Sequence, residues 1–210
     1  HQDGSSHLIA ATIPNCKAYD PAFAGEMAVI LDAGMREMLV EQQDVFYYVT
    51  LMNENYAQPD LPEGVAAQEL WGGYRFARLG PDGGQRVTLM GSGAILTEVV
   101  KAAHALADQG IGVDVLSITS WSELAREGAA RDDAHITRLL SEGSGPVIAA
   151  TDYVRAVPES VRAFVPVGRR YVTLGTDGFG RSDTRAALRR FFRVDAESIV
   201  GAALDSLHIQ

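Results

Sequence analysis

The sequence predicts an α/β protein organised on an open, mostly parallel sheet with helices on both faces. Two observations carry that expectation. From residue 86 onward, short β-branched runs alternate with stretches whose apolar residues recur every three or four positions, the pattern of parallel strands joined by crossover helices. Before that, residues 53–64 hold Pro59 and Pro62 and read as an extended connection, because proline removes a backbone donor and fixes φ. The predicted division is residues 1–58, half of an α/β unit; 59–85, a linker and edge strand; and 86–210, the complete sheet.

With 210 residues, 47% of them apolar, the chain is long enough to bury a substantial core. Lys plus Arg number 18 against 27 Asp plus Glu, a formal net charge of −9. Nothing in that balance offsets repulsion from phosphate groups, so neither nucleic acid nor an anionic membrane is an expected partner. The lone cysteine, Cys16, rules out an intramolecular disulfide and multi-Cys zinc motifs and points to a reducing, cytoplasmic compartment. No run approaches the ~20 apolar residues of a membrane helix. The opening HQDGSSHLIAATIP has neither the basic start nor the long apolar stretch of a secretion signal. It begins on His rather than Met, and the expectation is part of a longer chain.

The elements follow in order. Residues 8–13 form a short apolar run closed by Pro14. Cys16–Tyr19 suits a strand, and Asp20-Pro21 is the expected helix start, an N-cap followed by proline at the first helical position. Phe23, Met27, Ile30, Leu31, Met35 and Met38 then mark one buried helical face. The β-branched and aromatic residues 45–49 predict a strand covered on both faces. Residues 71–78 predict an edge strand, followed by a turn at Pro81-Asp82-Gly83-Gly84. Residues 86–90, 113–118, 146–150 and 171–174 predict strands. After the first of these, Gly91-Ser92-Gly93 turns into a helix with Leu96, Val99, Val100, Ala103, Leu106 and Ala107 inward, stopped by Gly110. Residues 122–127 begin a further helix, residues 159–164 another, and helices over 186–192 and 196–207 close the chain.

GSGAIL at 91–96 lacks the third glycine of a dinucleotide fingerprint, where Leu96 stands, and no Walker lysine accompanies it. It reads as a structural turn. The loop GTDGFGRSD, residues 175–183, offers a backbone nest for an anion with Arg181 as bidentate partner. The plainer reading is a tight strand-to-helix connection capped by Ser182 or Asp183. Arg185, Arg189 and Arg193 fall on one helical side and read as a solvated face, with docking of an acidic partner as the alternative. His104, His135 and His208 are scattered without a second ligand at i+4 and assemble no metal site. Asn53-Glu54-Asn55 follows a predicted strand and reads first as a boundary or interface element, second as a substrate contact.

The opening heptapeptide HQDGSSH differs in kind. His1 and His7 flank Asp3 and a glycine turn. Two imidazoles supply a proton donor and an acceptor near neutral pH, and a carboxylate between them fixes a tautomer. On spacing alone, a turn with exposed histidines remains the plainer reading.

The order HQDGSSH, TIPNCKAYDPAFAGEMAVIL, VFYYVTLMNENYAQPDLPEG, LMGSGAIL, SITSWSELAREG and TDGFGRSDTRAALRRFFRVD resembles the last part of the homodimeric bacterial type of pyruvate dehydrogenase, the decarboxylating first component of that complex. The chain is similar, more distantly, to transketolase, where an EDGxTH turn precedes the same helix-strand-helix pattern. The resemblance implies that residues 1–58 are the C-terminal half of a thiamine-diphosphate pyrimidine-binding domain and that 86–210 are a transketolase C-terminal-like domain. It implies thiamine diphosphate and Mg²⁺ as cofactors, gripped by a GDG…N motif that this sequence does not contain. No cofactor-binding or metal-ligating residue is therefore expected here, and the chain alone is expected not to turn over. The implied partners are a second copy in a homodimer, the dihydrolipoyl acetyltransferase core, pyruvate and the lipoyl group. The resemblance carries catalytic roles to His1 and His7, the first and last histidines of a HEDGHSH-like turn, with Asp3 as orienter. Gln2 and Ser5 depart from that pattern, where the family has Glu and His.

Two other readings compete. One is a non-catalytic α/β module for dimerisation or docking, with the His/Asp turn incidental. The other is a transketolase, against which HQDGSSH lacks Pro-Thr after its glycine and TDGFGRSD is closer to the pyruvate enzyme's loop.

Overall fold

The computed structural model, which describes residues 3–208, holds two sheets. Helix α1 (Ser6–Ala11) leads into strand β1 (Cys16–Tyr19), and α2 (Ala24–Met35), prolonged by a π-helical turn over Arg36–Val40, crosses to β2 (Phe46–Val49). β1 and β2 pair in parallel, Cys16 opposite Phe46 and Tyr19 opposite Val49. A short helix, α3 (Ala66–Leu70), ends the extended connection. The larger sheet is built from β3 (Tyr74–Leu79), β4 (Arg86–Gly91), β5 (Gly112–Ser117), β6 (Val147–Ala150) and β7 (Tyr171–Leu174). Their spatial order is β3-β5-β4-β6-β7, with β3 antiparallel at one edge and the rest parallel. Around it lie α4 (Ile95–Ala107), α5 (Trp121–Ala130), α6 (His135–Ser141), α7 (Ala156–Glu159), α8 (Arg185–Phe192) and α9 (Ala196–His208).

Both faces of this sheet are covered, and the two-residue period of the strands sorts the core accordingly. Val87, Leu89, Val113, Val115, Ile148 and Ala150 face one cluster, filled by Leu96, Val99, Ala103 and Leu106 of α4 and Ile199, Ala203 and Leu207 of α9. Met90, Leu116, Val147 and Ala149 face the other, with Leu124 of α5, Leu139 and Leu140 of α6 and Val157 of α7. The architecture is an α/β fold with a mixed, mostly parallel sheet.

The first segment departs from its expected form in three places. α2 begins at Ala24 rather than after Pro21 because Asp20 does not cap it. Glu26 does: its Oε2 accepts from the backbone of Ala22 at 2.6 Å and Phe23 at 3.1 Å. The expected buried face holds at Phe23 and Ile30, whereas Leu31 and Met35 are exposed. β2, predicted to be covered on both faces, is half-buried, and its Phe46 is exposed, because β1 is its one strand neighbour among the described residues. Elsewhere, α3 and α6 form without having been expected, and residues 159–164 are split between the end of α7 and a 3₁₀ turn at Arg162–Phe164. Thr184, not Ser182 or Asp183, caps α8, its hydroxyl accepting from Ala187. Of the expected arginine face of α8, Arg185 and Arg193 are exposed, as a solvated face requires, and Arg189 alone is turned inward. Arg189, 11% exposed, bridges Glu54 and Glu98, and Arg185 donates to the Asn53 carbonyl at 2.6 Å.

Glu26 also ties the first segment to the large sheet. Its Oε1 accepts from Tyr74 of β3 at 2.8 Å and from Ser117 of β5 at 2.5 Å. Four donors thus meet one fully buried carboxylate. Glu26→Ala strands them, at roughly 1–3 kcal/mol for each group left unsatisfied, so the expected loss of stability is at least about 4 kcal/mol. Urea denaturation measures it, and a change within about 0.5 kcal/mol would contradict the bridging role.

Candidate functional site

Strand order reverses at β4, whose successors lie on opposite sides of it. In open α/β sheets, the crevice beyond the carboxyl ends of the strands at such a point is where ligands bind. Here that crevice lies between Gly91 of β4 and Ala150 of β6, and Ser92 and Thr151 face each other across it at 3.3 Å. The first segment fills it. Asp20, following β1, accepts from Gly93 through its carbonyl at 2.9 Å and donates to Thr119 at 2.7 Å. Its carboxylate lies against Gly93, where a Cβ would stand 2.6 Å from Oδ2, and Gly93 has φ +50°. The GSG turn is glycine-bearing to admit a carboxylate, consistent with a structural turn.

From Asp20 a hydrogen-bonded chain runs outward. Thr50 Oγ1, just past β2, donates to Asp20 Oδ1 at 2.8 Å, and His7 Nε2 lies 2.9 Å from the same hydroxyl. α1 delivers His7 into this position, where its ring sits edge-on to Tyr153 at 4.5 Å and Tyr48 at 5.6 Å. His7 is 5% exposed and Asp20 2%.

Burial drives both groups toward their neutral forms. It lowers the His7 pKa to about 4, against the pull of Asp3. It pushes the Asp20 carboxyl up to about 7, with the Thr50 and Ser92 hydroxyls drawing it back and Asp152 and Glu26 pushing further. Asp20 Oδ2 is buried with no hydrogen-bond partner among the described residues. Burial also raises Asp152, which Arg189 draws back. The group poised near neutral pH is therefore Asp20, and the expected near-neutral imidazole at His7 is corrected to an uncharged one.

Of the residues singled out by sequence, His1 lies outside the described residues. His7 is buried, not exposed. Asp3 does not hold the His7 ring: it accepts from the backbone of Ser5 at 3.3 Å and Ser6 at 2.9 Å and from the Ser6 hydroxyl, fixing the turn that starts α1. Asn53 and Glu54 hold α8, as described. In the 175–183 loop, Asp177 pairs with Arg155 at 2.6 Å and the Arg181 guanidinium stacks 4.1 Å from the Phe191 ring. His135 is buried against the Gly73 carbonyl, 2.6 Å away. Asp20 and Thr50 were missed as site residues, since Asp20-Pro21 carries the local signature of a helix cap and nothing nearby marks Thr50.

Two hollows flank the chain of contacts. A cavity of about 470 Å³ is lined by Asp3, Thr50, Glu54, Asp152, Arg185 and Arg189. A second, of about 270 Å³, is lined by His7, Ala125, Arg126 and Trp121, whose indole N–H finds no acceptor among the described residues. No group of three or more His, Cys, Asp or Glu among the described residues is arranged to hold a metal ion. No helix among them is long and apolar enough to cross a membrane.

Residues 72–195 match the family model of the transketolase-like TK C-terminal domain. This chain belongs to the transketolase-like family. Residues 1–59 match the model of the pyruvate dehydrogenase E1 component middle domain. Over 99% of its length the transketolase-like chain is 47% identical to a pyruvate dehydrogenase E1 component of Pseudomonas aeruginosa and 48% identical to that of Cupriavidus necator. It spans about a quarter of the length of these relatives (25% and 24%). Its fold matches a transketolase from Leishmania mexicana with a TM-score of 0.72 at 18% identity, covering 100% of this chain and 28% of that one. A split-gene transketolase described as an inactive β4 tetramer matches at 0.66 and 18% identity, covering 99% of this chain and 63% of that one.

The buried pair has a pH signature. Asp20 holds its proton more tightly folded than unfolded, so its contribution to stability falls as pH rises from about 4 to about 7. His7 releases its proton more readily folded, so its contribution is lost as pH falls from about 6.5 to about 4. The two slopes oppose each other. Relative to the parent, Asp20→Asn is expected to gain stability with rising pH across this window, and His7→Gln to lose it. Urea midpoints across the window check this, and three parallel curves would contradict it.

Proposed function

We propose that this chain works as the C-terminal part of a thiamine-diphosphate-dependent pyruvate dehydrogenase E1 component, which decarboxylates pyruvate and passes the acetyl group to a lipoyl group. The observation that supports it most is the similarity along the chain, 44–48% identity over 99% of its length, to several E1 components. In this reading residues 1–58 are the second half of a pyrimidine-binding domain, 59–85 a linker with an edge strand, and 86–210 a transketolase C-terminal-like domain. The half-covered β1–β2 sheet and the exposed Ile9, Leu31, Met35, Leu39, Val40 and Phe46 suit a segment completed by further strands of that domain.

Thiamine diphosphate and Mg²⁺ belong to this reading as cofactors of the whole enzyme. The described residues of this chain do not fit as their holders, since they offer no metal-ligating cluster and the sequence has no GDG…N motif. What the chain supplies is protein-side proton handling. His7 is the ring that meets the oxygen of the 2-oxo acid, approached through the 270 Å³ hollow that it lines. Asp3 positions His7 by holding the turn that starts the helix carrying it, and His1, outside the described residues, belongs to this reading as a second imidazole through the family resemblance alone. A homodimer, cytoplasmic location and docking to a dihydrolipoyl acetyltransferase core follow from the same reading.

His7→Ala in the intact protein, supplied with thiamine diphosphate and Mg²⁺, is expected to lower the rate of CO₂ release from pyruvate by roughly 10²–10⁴-fold. His1→Ala is expected to lower it in the same direction. Unchanged rates in both would favour a non-catalytic docking module instead.

A further inference from the structure

We propose that Asp20 is a positioning residue that stores a proton for His7 and passes it through the Thr50 hydroxyl. The proposal rests on the reading of His7 as the ring that meets substrate.

The geometry supports a directional chain, with the Tyr19 carbonyl, 3.4 Å from the Thr50 hydroxyl, and the Tyr153 phenol as further contacts of that hydroxyl. Thr50 has one hydroxyl proton, and its oxygen lies 2.8 Å from Asp20 Oδ1 and 2.9 Å from His7 Nε2. With Asp20 ionised, Thr50 donates to Asp20, so His7 Nε2–H must donate to Thr50, and Nδ1 is left as the ring's acceptor. With Asp20 protonated, the same contacts run in reverse. Asp20 donates to Thr50, Thr50 donates to Nε2, and the ring proton resides on Nδ1. His7 makes no hydrogen bond through Nδ1 among the described residues, so that nitrogen is available to a ligand.

The relay removes a difficulty with His7 as a simple acid. A ring buried between Tyr48 and Tyr153, with Asp3 as the charge acting on it, does not hold an imidazolium at neutral pH. In the relay it never needs to. His7 gives Nδ1–H to a substrate oxygen, Nε2 takes the Thr50 proton, and Thr50 takes the proton of Asp20. One proton has moved from Asp20 to substrate, two neutral groups have exchanged hydrogen-bond direction, and the single new charge on the protein is the Asp20 carboxylate. The groups facing Asp20 set where this operates. Asp152 from beyond β6 and Glu26 from α2 resist its ionisation, while the hydroxyls of Thr50 and Ser92 favour it, leaving the carboxyl near the middle of the physiological range. The phenols of Tyr56 and Tyr153 also feel its charge.

The test is the His7 tautomer, read by ¹⁵N NMR of the histidine-labelled intact protein without substrate between about pH 6 and about pH 8. The expected result is a neutral ring throughout whose proton moves from Nδ1 to Nε2 as pH rises. That movement is expected to be abolished in Asp20→Asn and Thr50→Val and retained in Thr50→Ser, which keeps the hydroxyl. A proton that stays on one nitrogen in the parent protein overturns the relay without recourse to any variant, as does a pH-driven shift that survives Thr50→Val. In pyruvate turnover, Thr50→Val is expected to lower kcat roughly 10–100-fold with KM changed by less than about twofold, and Thr50→Ser to restore it. A tautomer that responds as expected while turnover is unmoved would leave the relay standing and overturn the role given to His7.

Discussion

A carboxylate taken out of water must be met by donors or give up its charge, and the arrangement of the first segment on the large sheet depends on both answers being used a few residues apart. Glu26 is met: two backbone amides of its own helix start and two hydroxyls from β3 and β5 surround it. Asp20 has fewer partners, and its Oδ2 has none among the described residues. The first carboxylate fixes α2 against the sheet. With that helix held, Asp20 is pressed into the crevice between β4 and β6, where ordinary donors are scarce and its proton is retained.

Function follows from this placement. The reversal point of an open sheet is ordinarily vacant for a ligand, but here it is occupied by the chain's own Asp20, Gly93 and Ser92. The reactive face is thereby moved outward along Thr50 to His7, at the junction of the two sheets. Other contacts hold that junction. Arg126 of α5 donates to the carbonyls of Cys16 and Ile13 at 2.6 and 2.8 Å, and Ser120 donates to Ala18 at 2.5 Å. Arg189 joins Glu54 to Glu98 on the opposite side. A histidine whose position is set from so many directions is pre-organised, which is what proton transfer over hydrogen-bond distance requires.

The large sheet was legible in the sequence because its four parallel strands are short apolar runs carrying β-branched residues and bounded by glycine or polar turns, and Tyr171–Leu174 agrees residue for residue. α6 was not legible: Ala134 at its N-cap has no polar side chain to announce the start, and seven residues show too little period. The site was legible only in part. HQDGSSH drew notice through residue types, but nothing in seven residues reveals that His7 is buried against a threonine 43 positions away. Asp20 was misread as a cap because the pair Asp-Pro has that local meaning, whereas its role is decided by Thr50, 30 positions on, and by the GSG turn beyond it. Local chemistry predicts elements well and predicts poorly which buried polar group finds which distant partner.

His7 is central here as an uncharged ring, kept so because its surroundings exclude water. The most direct measurement is its titration by NMR in the intact protein. No imidazolium is expected until the pH approaches about 4. A ring that protonates near 6.5, as an ordinary solvated histidine does, would contradict it.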